Sequence, residues 1–433
     1  MRTIEDTALP NLMRHVFPTY RVPRVSFAEG TLPVEVPGEA YGVEATLSQG
    51  VLALTRLDVE VAGRVADLLH RLENGSGLLR RAEVRVEGAI GRDCLELLLE
   101  RHRDGLCLLP VAAIPALPDG VASVAGMGLR EAGLAIGASD FFRWSGSRTA
   151  HVSRLLQVMD ACLEHGIGPR LDLLDVTRAD VEGFVLPLVE ACLDHLARRG
   201  FSRLRLRLCD SLGLGLPWGE AALPRSIPRL IHTVRHATGL QPRQLEFLGA
   251  NDLGLALANS VAATLGGCGG LVCSVGGVGE RGGVTATELL LLHLSGLFGA
   301  DCDLSVVSQL HALLEPLGLS LGDHHPLWGE EALTTSSMPD GQTQPGGDLL
   351  APLDTERLVF RSPRIEVRPQ TGVAGVVRLI QEHQPMELAL DDERVRKIHD
   401  WIAEQGIVQV SWEAIEPKVR EVLPELFQGP EPE

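Results

Sequence analysis

With 433 residues, 45% of them hydrophobic and 22% charged, the chain has room for one barrel of ~250 residues plus flanking segments, and this balance excludes a disordered or fibrous protein. A formal net charge of −18, with no lysine- or arginine-rich stripe, opposes binding to nucleic acid or to an anionic bilayer. The most apolar stretch, Leu289 to Ala300, includes His293 and falls short of the ~20 residues that span a membrane.

Residues 1–38, rich in proline, read as an N-terminal arm. Its first ten residues have neither a basic segment followed by an apolar core nor a cleavage site, so a cytoplasmic location is expected. From 39 to 300, short apolar runs alternate with amphipathic segments of helical length, the pattern of a parallel sheet with helical crossovers. Strands are predicted to begin near Tyr41, Ala82, Leu106, Gly133, Pro169, Arg203, Gln244 and Gly270. Their helices include Val61–Leu72, His151–His165, Val181–Arg198, Ile227–Thr238, Leu253–Leu265 and Thr285–Leu297. Eight such units imply closure into a (β/α)8 TIM barrel, whose functional groups stand at the C-terminal strand ends and in the loops after them. Residues 301–353 form a linker subdomain with a flexible Gly/Pro/Ser/Thr-rich stretch, and 354–433 a mainly helical C-terminal subdomain with amphipathic spacing over Val373–Glu382 and Asp392–Gln405. The final GPEPE is expected to fray. The eight cysteines are scattered singly without a CxxC pair, which reads as reduced thiols serving as small core residues.

Several motifs carry a family resemblance. Asn251-Asp252-Leu253-Gly254-Leu255-Ala256 with Asn259, followed by Gly277-Val278-Gly279-Glu280-Arg281-Gly282-Gly283, resembles the last two barrel strands of the 2-isopropylmalate, homocitrate and citramalate synthases, barrels of the HMG-CoA-lyase-like (pyruvate carboxyltransferase) type. Cys209-Asp210-Ser211-Leu212-Gly213 is similar to that family's D-T-x-G turn, and Asp175-Val176-Thr177-Arg178 to its D-x-T-R segment. Thr46-Leu47 with Gly50 falls where the family has T-L-R-D-G, while Pro326-Leu327-Trp328-Gly329, Asp340-Gly341, Asp354-Thr355-Glu356 and Gly372-Val373-Ala374-Gly375 follow its C-terminal subdomains. The resemblance implies an acyltransferase that joins acetyl-CoA to a 2-oxo acid on a divalent metal (Mg, Mn or Zn). The ion would be held by an aspartate of the first strand and an H-x-H pair of the seventh, whose i, i+2 spacing puts two imidazoles on one face.

The chain departs from that pattern at each ligand. Ser48-Gln49 stands for R-D, Leu248-Gly249-Ala250 for H-x-H, Val284 for the asparagine that closes G-E-R-x-G-N, and Thr335-Ser336-Ser337-Met338-Pro339 for the segment with a catalytic histidine. An amide, a leucine and an alanine do not replace a carboxylate and two imidazoles, so no bound metal or other cofactor is expected. The candidate catalytic set is Glu83, Arg85 and Asp210, and the candidate substrate contacts are Asn251, Asp252, Gly279, Glu280, Arg281 and Thr177. Glu83, Arg85 and Glu87 share a strand face, so Arg85 is expected either to neutralise Glu83 and Asp252 in place of the ion or to form a salt bridge at the barrel rim. Asp175 and Asp210 are read as ligand-binding groups or as turn-formers, and Glu280 and Arg281 as a pair or as braces between loops.

Gly277 to Gly282 formally matches G-x-G-x-x-G, but its place in the eighth unit argues against a dinucleotide site, and Asp323-His324-His325 reads as a solvated loop rather than a metal cluster. Arg203, Arg205 and Arg207 alternate with leucines, giving their strand one polar and one apolar face. Three functions follow as expectations: a catalytically silent family member that binds, as a homodimer or paired with an active paralogue through the C-terminal subdomains; an active transferase or lyase with a modified site; and a sensor of a 2-oxo acid or CoA ester. Nothing resembling the family's leucine-binding regulatory domain is visible in the sequence.

Overall fold

The computed structural model describes residues 2–4, 25–28, 30–55, 57–142, 147–201, 204–335, 354–362, 364–365, 368, 372–384, 387–389, 391–407 and 410–427. Arg203, Ser336 to Pro339, most of the Gly/Pro-rich connector with Asp340-Gly341, and the final GPEPE lie outside the described residues. The chain divides into two compact units, Met1–Ser320 and Leu321–Glu433.

In the first unit eight parallel strands close into a barrel in chain order. They are β1 (Tyr41–Glu44), β2 (Leu79–Arg85), β3 (Leu109–Ile114), β4 (Glu131–Gly137), β5 (Gly168–Leu174), β6 (Arg205–Asp210), β7 (Leu245–Gly249) and β8 (Gly270–Cys273). The (β/α)8 class expected from the alternating pattern is therefore the observed one, and every strand starts within three residues of its predicted start. The helices that follow them are α1 (Val59–Glu73), α2 (Gly88–Arg103), α3 (Pro118–Val124), α4 (Arg148–Glu164), α5 (Leu186–Arg198), α6 (Ile227–Thr238), α7 (Ala256–Leu265) and α8 (Thr287–Phe298), and α9 (Val307–Leu314) completes the unit.

Helix boundaries follow local chemistry. Asp58, Ser147 and Ser226 cap α1, α4 and α6 by accepting from the amides of Val61 (2.9 Å), Ala150 (3.1 Å) and Arg229 (3.3 Å). Gly239 ends α6 in the left-handed conformation that glycine adopts at least cost. Part of the N-terminal arm lies along the barrel unit: Ala28 N–H donates to Glu220 O and Glu35 N–H to Leu265 O, both at 2.8 Å.

The second unit contains α10 (Thr355–Val359), α11 (Gly372–His383), α12 (Glu393–Gln405) and α13 (Trp412–Val422). Val377, Ile380, Val395, Ile398, Ile402, Ile415 and Val419 form its apolar core, the helix-spaced positions of three amphipathic helices turned to one another.

Candidate functional site

Barrel strands bury both faces, so a charged residue in one needs a partner of opposite sign. Here the interior carries a cluster of four arginines and four acids. Arg81 of β2 pairs with Glu246 of β7 and Glu131 of β4. Since β2 and β7 are separated by β1 and β8, the first of these bonds crosses the barrel interior. Arg170 of β5 grips Asp172 with two bonds, Nε–Oδ1 at 2.7 Å and Nη2–Oδ2 at 2.8 Å, and also reaches Glu83 of β2. Arg207 of β6 holds Glu83 Oε2 at 2.7 Å and Glu246 Oε2 at 2.8 Å, and Arg205 Nε holds Glu131 Oε2 at 2.9 Å. The Arg170, Arg207, Glu83 and Glu246 side chains are almost wholly sealed from solvent.

Burial alone would raise the Glu83 and Glu246 carboxyls, but the facing guanidiniums outweigh it and hold both below the usual carboxylate range. Against burial, Asp172, Glu83 and Glu246 keep Arg170 protonated, and Glu83, Asp172 and Glu246 do the same for Arg207. Glycine makes the space: a Cβ on Gly133 of β4 would stand 2.2 Å from Arg170 Nη2, and one on Gly270 of β8 2.7 Å from Glu246 Cγ.

One step nearer the C-terminal strand ends the lining turns apolar. Ala45, Cys209, Leu248, Val272 and Val284 pack in one buried cluster with Tyr41 and Val43, and Leu174 lies against it. Leu248, Cys209 and Leu174 each follow a member of the ionic cluster by two residues, so they share its inward face. Ala250 is buried beside Leu248's strand end and bridges to Val284. Ser48, in the turn after β1, donates to Glu83 Oε1 at 2.8 Å, and Gln49 N–H caps Ala45 O in the same turn.

Arg85 does not neutralise Glu83 or Asp252, correcting the first of the two expectations for it. Its Nε donates to Ser48 O (3.2 Å) and its Nη1 pairs with Glu87 (2.9 Å) at the barrel rim. Arg170 and Arg207 reach Glu83 from inside, leaving Arg85 no carboxylate there to satisfy. Asp252 pairs instead with Arg281, Nε–Oδ1 at 2.6 Å.

The other candidate residues organise the loops at this end of the barrel. Asp210 accepts from Thr177 Oγ1 (2.7 Å) and from the amides of Leu214 (3.0 Å) and Gly215 (2.7 Å). Burial, only partly opposed by these donors, pushes its carboxyl up to about 6. Asp175 adopts a left-handed conformation (φ 61°), bonds Ser139 and pairs with Arg178. Arg281 Nη2 donates to Ser211 O at 2.6 Å while pairing with Asp252, so it braces the loops after β6 and β7 from the loop after β8. Glu280 lies farther from it, at 3.8 Å. Asn251 N–H donates to Gly283 O (2.8 Å), and its Oδ1 accepts from Ala256 N–H (3.3 Å). The glycine-rich loop containing Gly279 closes on itself through Gly283 N–H to Glu280 O and Val284 N–H to Gly277 O. In the second unit, Asp323 to His325 lies in a turn that His325 N–H closes onto Gly322 O.

Sequence reasoning passed over Arg81, Glu131, Arg170, Asp172 and Glu246, and it assigned Arg207 only a polar strand face. The signal was present as charges at alternate positions, Arg170-Leu171-Asp172 and Arg205-Leu206-Arg207. Among the described residues, the one place where three potential metal-ligating side chains converge is not at the strand ends but at Glu35, His232 and His236.

An HMGL-like family profile matches residues 123–313. The 2-phosphinomethylmalate synthase of Streptomyces hygroscopicus is 32% identical over 97% of this chain and 98% of its own. The chain belongs to the 2-isopropylmalate synthase-like family. Another relative in this family, the citrate (Re)-synthase of Clostridium kluyveri, is 27% identical over 98% of this chain and 96% of its own. The hydroxymethylglutaryl-CoA lyase of Pseudomonas aeruginosa superposes with a TM-score of 0.50 at 22% identity, covering 66% of this chain and 95% of its own, which supports the family's barrel fold. Among the described residues no helix is long and apolar enough to cross a membrane.

Proposed function

We propose that this chain is a member of its condensing family that no longer performs the metal-dependent joining of acetyl-CoA to a 2-oxo acid and acts by binding, as a partner subunit built on the same barrel. The observation that carries this reading is the donor set at the inner strand ends. Gln49, Leu248 and Ala250 offer one neutral amide and two hydrocarbon groups, and Leu248 and Val284 are packed into an apolar cluster. Glu83, a carboxylate at this end of the interior, has its oxygens engaged by Ser48, Arg170 and Arg207. These residues do not fit a divalent cation, which asks for anionic oxygen or imidazole donors converging on one point. No step is therefore routed through an ion at this place.

The test is thiol release from acetyl-CoA by the purified chain, with pyruvate, 2-oxoisovalerate, 2-oxoglutarate or oxaloacetate as acceptor and Mg²⁺, Mn²⁺ or Zn²⁺ added. The expected result is a rate indistinguishable from the protein-free control for every acceptor, and steady turnover with any of them defeats the reading. Retention of acyl-CoA or 2-oxo acid in calorimetry, without turnover, supports a binding role for the barrel.

The end-to-end likeness to proteins named as synthases favours a second reading, an active transferase or lyase with a modified site. That reading draws on Glu83, Arg85 and Asp210, of which Glu83 and Asp210 are already engaged by buried donors. The same assay decides between the two.

A further inference from the structure

Helix α6 places His232 and His236 four residues apart, one turn above the other on the same face. Glu35, brought in by the N-terminal arm and anchored by its amide on Leu265 O, lies against both rings. His236 Nε2 lies 3.1 Å from Glu35 Oε1 and 2.9 Å from Oε2, and His232 Nδ1 lies 3.9 Å from Oε1. The ligating atoms of all three residues fall within 4.8 Å of one another. Tetrahedral ligands at ~2.0–2.1 Å from a zinc ion are separated from each other by about 3.3 Å, so these distances bracket the value an ion needs.

Two further features single out this trio. The His232 Nδ1 atom is buried and makes no hydrogen bond, an uncompensated polar atom directed toward Glu35. Arg235 pairs with Glu35 through Oε2, which His236 Nε2 also approaches, while Oε1 faces both imidazoles, 3.1 Å from His236 Nε2 and 3.9 Å from His232 Nδ1. A ligating carboxylate fixed through its other oxygen is a common second partner arrangement at metal sites.

We propose that Glu35, His232 and His236 form a binding site for a divalent transition-metal ion of the zinc class, which pins the N-terminal arm to α6. Three side chains supply an oxygen and two nitrogens, leaving a fourth position for water. This site shares no residue with the strand-end positions discussed above and does not depend on the proposed function.

The experiment uses the untagged full-length chain, stripped with chelator and dialysed, then titrated with Zn²⁺ by calorimetry and with Co²⁺ by visible absorption. The expected result is one tightly bound equivalent of zinc and a cobalt spectrum of nitrogen and oxygen ligation without thiolate charge-transfer bands. Removing either histidine, as His232→Ala or His236→Ala, is expected to weaken binding by more than the roughly 10–100-fold that loss of an outer partner costs. Should a histidine variant fail to fold, Glu35→Gln leaves α6 untouched and is expected to lose binding equally. Full zinc affinity in these variants, thiolate bands in the cobalt spectrum, or absence of tight binding by the native chain each overturns the assignment.

Discussion

At the scale of single residues, the barrel's buried charges set its response to mutation and to pH. Glu246 accepts from Arg81 and Arg207, both deep in the barrel, so Glu246→Ala leaves two guanidiniums without that counter-charge. Breaking a buried pair from one side costs about 3–5 kcal/mol, and urea unfolding of this variant is expected to show a loss of that order. A loss under about 1 kcal/mol, the worth of an exposed pair, would mean that water reaches the cluster. Glu44 behaves oppositely, because burial with no cationic partner among the described residues raises its carboxyl to about 7, partly opposed by donors such as Thr46. The folded chain then keeps a proton that the unfolded chain gives up above its ordinary value of 4.5. Glu44's contribution is thus fully present below pH 4.5 and is lost as pH rises through about 7, a drain of about 3 kcal/mol. Glu44→Gln carries no proton to lose. Relative to the native chain it is expected to gain about 3 kcal/mol between pH 4.5 and 8, measured as the difference in unfolding free energy at the two values. A pH-independent packing cost cancels in that difference, and an unchanged native slope would rule out a protonated Glu44.

At the scale of elements, strand order and most helices were readable because apolar runs and helix-spaced segments alternate without interruption from Tyr41 to Phe298. The two helices not anticipated, α2 and α3, are the ones whose pattern is weakest: α2 opens on a glycine and carries arginines and a histidine in its last turn, and α3 is only seven residues long. Alternation within β6 was visible as well, but it does not say which face is the interior, because in a closed barrel both faces are buried. Arg205 and Arg207 proved to point inward, and their partners come from β4 for the first and from β2, β5 and β7 for the second, far away in sequence. The same reason hid the metal-binding trio: two histidines one turn apart are visible in α6, but Glu35 joins them only after the arm has folded along the barrel. Strand β4 shows how closely the elements are matched to the ionic layer. Gly133 faces the guanidinium of Arg170, which Glu83 and Asp172 pin, so the side chain has nowhere to move when a methyl group is added. Gly133→Ala is therefore expected to cost about 1–3 kcal/mol, the usual penalty of overpacking, read as a lowered denaturant midpoint at unchanged slope. No change in midpoint would show that Arg170 has room the packing does not suggest.

At the scale of the whole molecule, the family fold is intact while the inner strand ends have the character of a core. Family-like turns remain where they shape loops, as Asp210 and Thr177 do, whereas Gln49, Leu248 and Ala250 stand where the resemblance implies metal donors. If those three positions are what separates this chain from a metal-binding relative, then Gln49→Asp, Leu248→His and Ala250→His made together should restore ion uptake. The substitutions put one imidazole into the apolar cluster of Leu248, with Cys209, Val272 and Val284, and a second at buried Ala250 beside Val284, so the ion-free variant is expected to be less stable than the native chain by several kcal/mol, the order of cost for burying unpaired polar groups. An ion that binds only the folded form returns that stability by mass action, and the melting temperature should rise with Mn²⁺ or Zn²⁺ concentration far more in the variant than in the native chain. The site on α6 is separable by carrying His232→Ala and His236→Ala in both proteins, so that any remaining equivalent belongs to the strand ends. In that background uptake of one ion by the restored chain and none by its parent supports the reading of the strand ends. Uptake by the parent would place unrecognised ligands inside the barrel, and failure of the restored chain would trace the difference to the backbone or to the ionic layer beneath it.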